Sequence, residues 1–177
     1  MGKPFDKELA REVTQRTKDL VHLLNINLTE FRAELGPGKD SDIIITRVSE
    51  PSVRVLVEVE IVRADRWEKI KQGEYSTVRW PLAKKHKCEN YLKEGRLLIL
   101  LSVNERNLKE MFYIDCESWI KQGHEEKAGF VRAGGKNYRY RKGQEEPFWA
   151  IEREKVTWGI EKFEEFLLNL LKKRQSV

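Results

Sequence analysis

Three acids stand where extended chain ordinarily carries none: Asp42 at the mouth of one aliphatic run, and Glu58 and Glu60 inside the next. The first run, Ile43-Ile44-Ile45-Thr46-Arg47-Val48, and the second, Val53 to Val62, are rich in β-branched residues. Ser49-Glu50-Pro51-Ser52 separates them as a turn sequence, so a β-hairpin is expected. Alternation puts Val53, Val55, Val57, Val59 and Ile61 on one face and Arg54, Leu56, Glu58, Glu60 and Val62 on the other. Glu58 and Glu60 then lie roughly 7 Å apart, and like charges that close call for a cation, either a divalent metal or a lysine. Folding the hairpin back brings Asp42 opposite position 58, 59 or 60, and a slip of one residue changes the face on which it points. Such a carboxylate cluster suits a hard, octahedral cation such as Mg2+. An edge hairpin with a solvated acidic face reads the same way.

These acids need a scaffold, and 177 residues suffice for one domain with a real core but not for two of ordinary size. Apolar residues make up 40% and charged residues 36%, the balance of a soluble globular protein rather than a disordered or membrane one. Lys plus Arg exceeds Asp plus Glu by 34 to 29, a modest basic excess that permits a polyanionic partner. The abundance of Glu, Lys and Arg suits a thermophile. With no basic-then-apolar leader and no window long enough to span a bilayer, a cytoplasmic protein without a membrane partner is expected. Cys88 and Cys116, without a CxxC or a histidine pair nearby, are expected to be reduced and structural. His22, His86 and His124 are isolated from one another and read as structural or surface residues.

In chain order, residues 5 to 35 read as helix with a break near Asn25-Ile26-Asn27, Phe31 and Leu35 continuing the apolar stripe until Gly36-Pro37-Gly38. Glu12 on this helix is a candidate additional acid, although most helical glutamates are solvated. After the hairpin come a short helix or loop over residues 63–74 and a short strand at Thr77-Val78-Arg79-Trp80. A helix from Leu82 to Leu92, ended by Gly95, carries Lys84, Lys85, His86 and Lys87 in succession. Arg96 to Val103 reads as a strand buried on both faces, Met111 to Asp115 as the next strand, and Glu117 to Gln122 as a helical turn. Residues 131–142 predict a hairpin about Gly134-Gly135 whose alternating Tyr and Arg offer phosphate contacts or simple cross-strand packing. Phe148 to Ile151 is a further strand, and Gly159 to Arg174 an amphipathic helix that closes the core or, in the alternative, makes a homodimer contact. The layout is α/β: a mixed sheet with helices packed on it.

Over about residues 5–115 the chain resembles the PD-(D/E)XK, or restriction-endonuclease-like, nuclease superfamily. The resemblance rests on Asp42 before an aliphatic strand, Val57-Glu58-Val59-Glu60 on the next, and Pro81-Leu82-Ala83-Lys84 on the following helix. It implies one domain over 1–177, with a restriction-endonuclease-like mixed central β-sheet flanked by helices, a C-terminal β-hairpin and a closing helix over 123–174. It further implies Asp42 and Glu58 as ligands of Mg2+ or Mn2+, with a lysine beside the attacking water. The usual lysine position is Glu60 here, so the resemblance passes that role to Lys84, with Lys85 second, and leaves Glu60 to assist.

The expected function is therefore metal-dependent hydrolysis of DNA phosphodiester bonds, internal or terminal, with RNA left open as the polymer. A cation would neutralise phosphate charge and acidify a bound water, while the ammonium group sits beside it. Lys85, Lys87, Arg139, Arg141 and Lys142 are the expected nucleic-acid contacts. Two rivals come from other classes: a non-catalytic nucleic-acid-binding module on the same fold, and a protein-interaction domain presenting the C-terminal helix.

Overall fold

The computed structural model describes residues 7–37, 41–130 and 145–175. The chain begins with α1 (Lys7–Asn27), followed by three antiparallel strands, β1 (Phe31–Leu35), β2 (Ile43–Arg47) and β3 (Glu50–Val62). Next come α2 (Ala64–Lys71), β4 (Thr77–Pro81) and α3 (Leu82–Lys93). β5 (Leu97–Asn104), β6 (Asn107–Asp115), α4 (Cys116–Gln122), β7 (His124–Phe130) and β8 (Glu145–Glu152) follow. β9 (Thr157–Trp158) and α5 (Phe163–Gln175) end the described chain. Among the described residues this is a mixed α/β protein: five α-helices, a six-stranded mixed sheet ordered β1-β2-β3-β5-β6-β9, and a three-stranded antiparallel sheet ordered β4-β8-β7.

The large sheet is buried on both sides, which is why β3 and β5 read as near-continuous aliphatic runs. One face carries Val55, Val57, Ile99 and Leu101 against Leu20 and Leu24 of α1 and Phe163 and Leu167 of α5. The other carries Leu56, Val62, Leu98 and Leu100 against Trp67 of α2, Trp80 of β4, Tyr91 of α3 and Trp119 of α4. Because β3 and β5 run parallel, the chain between them must cross over the sheet, and α2, β4 and α3 make that crossing. Positive-φ glycines follow α2 and α3, Gly73 at 78° and Gly95 at 73°, the conformation in which glycine ends a helix without steric cost.

The structure corrects the sequence expectation in four places. Residues 31–35 are strand, not a continuation of α1, and Phe31 and Ala33 are the buried positions. Local polar groups make that break: the Asn25 amide both donates to Ala33 O at 2.9 Å and accepts from Ala33 N at 2.7 Å, as a neighbouring strand would. The carboxylate of Glu164 on α5 accepts from Thr29 N at 2.7 Å, Thr29 Oγ1 at 2.7 Å and Glu30 N at 3.2 Å. The β2–β3 turn is tighter than expected: Glu50 already pairs with Arg47, and a bulge between Thr46 and Arg47 absorbs the extra residues of β3. β4 leaves the main sheet and pairs with β8, which does contain the expected Phe148–Ile151 strand. The Gly134-Gly135 turn, with Arg139, Arg141 and Lys142, lies outside the described residues.

The fourth correction concerns the cysteines. Cys88 of α3 and Cys116 at the start of α4 are joined by a disulfide, 28 residues apart and both essentially sealed from solvent. Spacing in the sequence gave no sign of it, because the pairing depends on two helices meeting over the sheet. Closing a loop of this length stabilises a fold by about 3–4 kcal/mol, chiefly by constraining the unfolded chain. Reduction, or Cys88→Ala with Cys116→Ala, is therefore expected to lower the melting temperature by roughly 7–15 °C. Calorimetry with and without reductant checks this, and an unchanged melt together with two titratable thiols in the untreated protein would refute the bridge.

Candidate functional site

β2 and β3 pair with Ile43 opposite Val57, so the next position back places Asp42 against Glu58. The main chain continues the ladder for one more bond, Asp42 N to Val57 O at 3.1 Å, and then the side chain takes over. Asp42 Oδ2 accepts from Val59 N at 2.8 Å, satisfying an amide that β2 leaves behind. Of the three positions open in sequence, the register selects 58, and directly opposed residues share a face.

Glu58 is 5% exposed. A lone carboxylate there would be costly to ionise, and two ammonium groups offset the cost. Lys84 Nζ lies 2.9 Å from Glu58 Oε2, and Lys87 Nζ pairs with Oε1. Both lysines come from the first half of α3, three residues apart and hence on one helical stripe with Cys88 and Tyr91. The stripe is thus half cationic, ending on Glu58, and half apolar, entering the core.

Lys85 points elsewhere. It pairs with Glu89 at 3.0 Å and lies 4.3 Å from the Trp149 ring centroid, so of the two lysines considered for the acids it is Lys84 that meets Glu58. Lys87, expected at a nucleic-acid surface, is the second cation on Glu58. Its spacing of three from Lys84 was the available signal; reading residues 84–87 as one basic run obscured it.

Glu60 does not join the pair. It accepts from Ser102 Oγ at 3.1 Å and lines a small separate cavity with Arg66, Arg79 and Glu126. Glu12 is exposed on α1 and makes no hydrogen bond or ion pair with Asp42 or Glu58. Among the described residues no three His, Cys, Asp or Glu side chains gather closely enough to hold one metal ion, so the expected convergence of three acids reduces to two.

The two carboxyls are driven apart in acidity. Burial, then the charge of Glu58 and a hydrogen bond shared with it, hold Asp42 above the usual aspartate range, against the opposing pull of the Val59 amide and Lys84. Burial also acts to raise Glu58, but Lys84 and Lys87 together outweigh it and hold that carboxyl below its ordinary value. The two carboxyls are thus shifted in opposite directions, the kind of separation that can assign distinct roles to a carboxyl pair.

No protein-family model matches the chain, and no curated protein matches it.

The opposite shifts give opposite stability effects. Asp42, raised in the folded state, contributes stability at low pH that is lost as pH rises through its folded value; Glu58, lowered, contributes stability at neutral pH that is lost on acidification through its folded value. Asp42→Asn is therefore expected to raise the melting temperature at neutral pH, with the gain vanishing below about pH 4. Glu58→Gln should cost about 2–3 kcal/mol at neutral pH, since it strands two ammonium groups that keep some access to water. Thermal melts of both variants across pH check the crossing signs, and parallel shifts would refute the assignment.

Proposed function

We propose that the protein is a metal-dependent nuclease that hydrolyses DNA phosphodiester bonds at the Asp42–Glu58 pair. One observation carries the reading: two opposed carboxylates from adjacent strands meet a lysine from the helix that crosses over them. The coarse layout supports it as well, since the resemblance implies a mixed central sheet flanked by helices, and the six-stranded sheet is mixed and packed by helices on both faces.

The donor set fits Mg2+ or Mn2+. Mg2+ takes one or two carboxylates and fills its remaining positions with water and substrate phosphate, and among the described residues Asp42 forms no direct ion pair, although the Lys84 charge acts on it. Asp42 and Glu58 would hold the ion, which when bound would supply charge neutralisation at the phosphate and a more acidic water. Lys84 keeps an ammonium beside Glu58, where it can orient a nucleophilic water and stabilise negative charge developing on the phosphate. Lys87, the second partner of Glu58, holds that carboxylate in place. The Val59 amide fixes the orientation of Asp42 through its hydrogen bond. Glu60 is assigned no step, because its carboxylate is directed to Ser102.

A non-catalytic nucleic-acid-binding module on the same scaffold is the second reading, favoured by the fact that Glu58 already has two lysine partners. The cytoplasmic setting remains part of the proposal. A buried disulfide suits the interior of a hyperthermophile, and the Glu-, Lys- and Arg-rich composition points the same way.

Incubation with plasmid and linear DNA in Mg2+ or Mn2+ is expected to give cleavage that chelation stops. Asp42→Ala and Glu58→Ala should abolish it, and Lys84→Ala should lower the rate by about 10²–10⁴-fold. Activity that survives both acid substitutions would remove the mechanism. Salt-sensitive binding without cleavage would establish the second reading instead.

A further inference from the structure

A cavity of about 710 Å³ opens at the turn end of the β2–β3 hairpin, where the start of β5 and the end of α5 meet it. Four guanidinium-bearing residues line it, Arg47, Arg54, Arg96 and Arg174, against one carboxylate, Glu50. We propose that this cavity binds backbone phosphates of the same DNA strand whose cleavable bond lies at Asp42 and Glu58, an inference that deepens the nuclease reading and rests on it.

Position is the first argument. Arg54, Leu56 and Glu58 are successive side chains on one face of β3; Ile44 of β2 stands opposite Leu56, and Asp42, just before β2, continues that register against Glu58. Arg54 is therefore four residues, roughly 13 Å, along the sheet from the acid pair. A strand passing beside the half-buried Ile44 would have one phosphate near each end. A cavity of this size also exceeds what a single phosphate fills.

Unmet hydrogen-bonding capacity is the second. Arg47 Nε is buried without a partner, and so is the hydroxyl of Ser41, a residue only 2% exposed that lines the cavity. Neither Arg47 nor Arg54 pairs with a described carboxylate. The other two arginines are held: Arg174 donates to Gly95 O, and Arg96 lies 4.4 Å from the Tyr91 ring centroid and 3.3 Å from a Glu94 oxygen. Planar guanidinium forks suit phosphate oxygens better than a point charge does. Two fixed cations and two without a described carboxylate partner form a surface prepared for a polyanion.

The test measures binding of a labelled single-stranded oligonucleotide of about 20 nucleotides by anisotropy, with EDTA present to prevent cleavage. Arg47→Ala with Arg54→Ala is expected to weaken binding by at least about tenfold and to flatten the dependence of log K on log salt by about 1.4. The charge-matched control, Lys18→Ala with Lys109→Ala on exposed positions of α1 and β6, should change affinity less than about twofold. Equal losses in the two double variants would overturn the proposal, because net charge alone would then explain them. Should the first pair fail to fold, Arg54→Ala alone, at an exposed position, is read the same way. Inorganic phosphate at matched ionic strength should not displace the oligonucleotide; displacement would mark a site for the free anion and overturn the strand assignment. The two readings fail separately. Cleavage by wild type with unchanged binding in the arginine variant sinks the cavity alone, whereas selective loss of binding without any cleavage sinks the nuclease alone.

Discussion

Everything at the candidate site depends on the parallel pairing of β3 with β5. Antiparallel neighbours can be joined by a tight turn, but parallel ones require the chain to travel back over the sheet, and here the return runs over the face that bears Glu58. The last element of that return is α3, whose first turns bring Lys84 and Lys87 onto a carboxylate that could not otherwise be ionised in the core. The acid and its cations are thus supplied by one topological requirement. Fixing α3 to α4 through Cys88 and Cys116 then limits how far the lysine-bearing helix can shift.

A second constraint acts from the other side of Glu58. Asp42 ends the β2 ladder by accepting the Val59 amide with its side chain, which places a second carboxyl beside the first at the cost of like-charge repulsion. A polar side chain could cap that strand without the repulsion. Proteins retain arrangements that oppose stability mainly where binding or chemistry needs them. The contrast with Glu60 is instructive: two residues along the same face, it has a neutral hydroxyl partner and creates no such conflict.

Much of the architecture was legible in the residues because each element had a local signature. The alternation in β3, the unbroken aliphatic run of β5 and the glycines after α2 and α3 all act within a few residues. The same alternation placed Glu58 on the face away from Val57. What escaped sequence reading depended on distant partners. Phe31 and Leu35 have helical spacing, and only the contacts of Asn25 and Glu164 with this segment show why the chain turns to strand. The disulfide joins cysteines on two helices whose meeting no spacing rule encodes. Separating Lys84 from Lys85 required knowing that Trp149 of β8 lies beside Lys85. Three acids were expected to converge, and the pleat does put them on one side, but the reach of each side chain is set by its neighbours.

The contact between Glu164 and the Thr29–Glu30 corner carries a consequence for biosynthesis. The amides that open β1 find their acceptor on the last helix, 135 residues later. A chain emerging from the ribosome exposes that corner to water until α5 has been made. The first hairpin can assemble early, but this seam closes only once α5 has emerged, and chains released before α5 would leave β1 without its clasp.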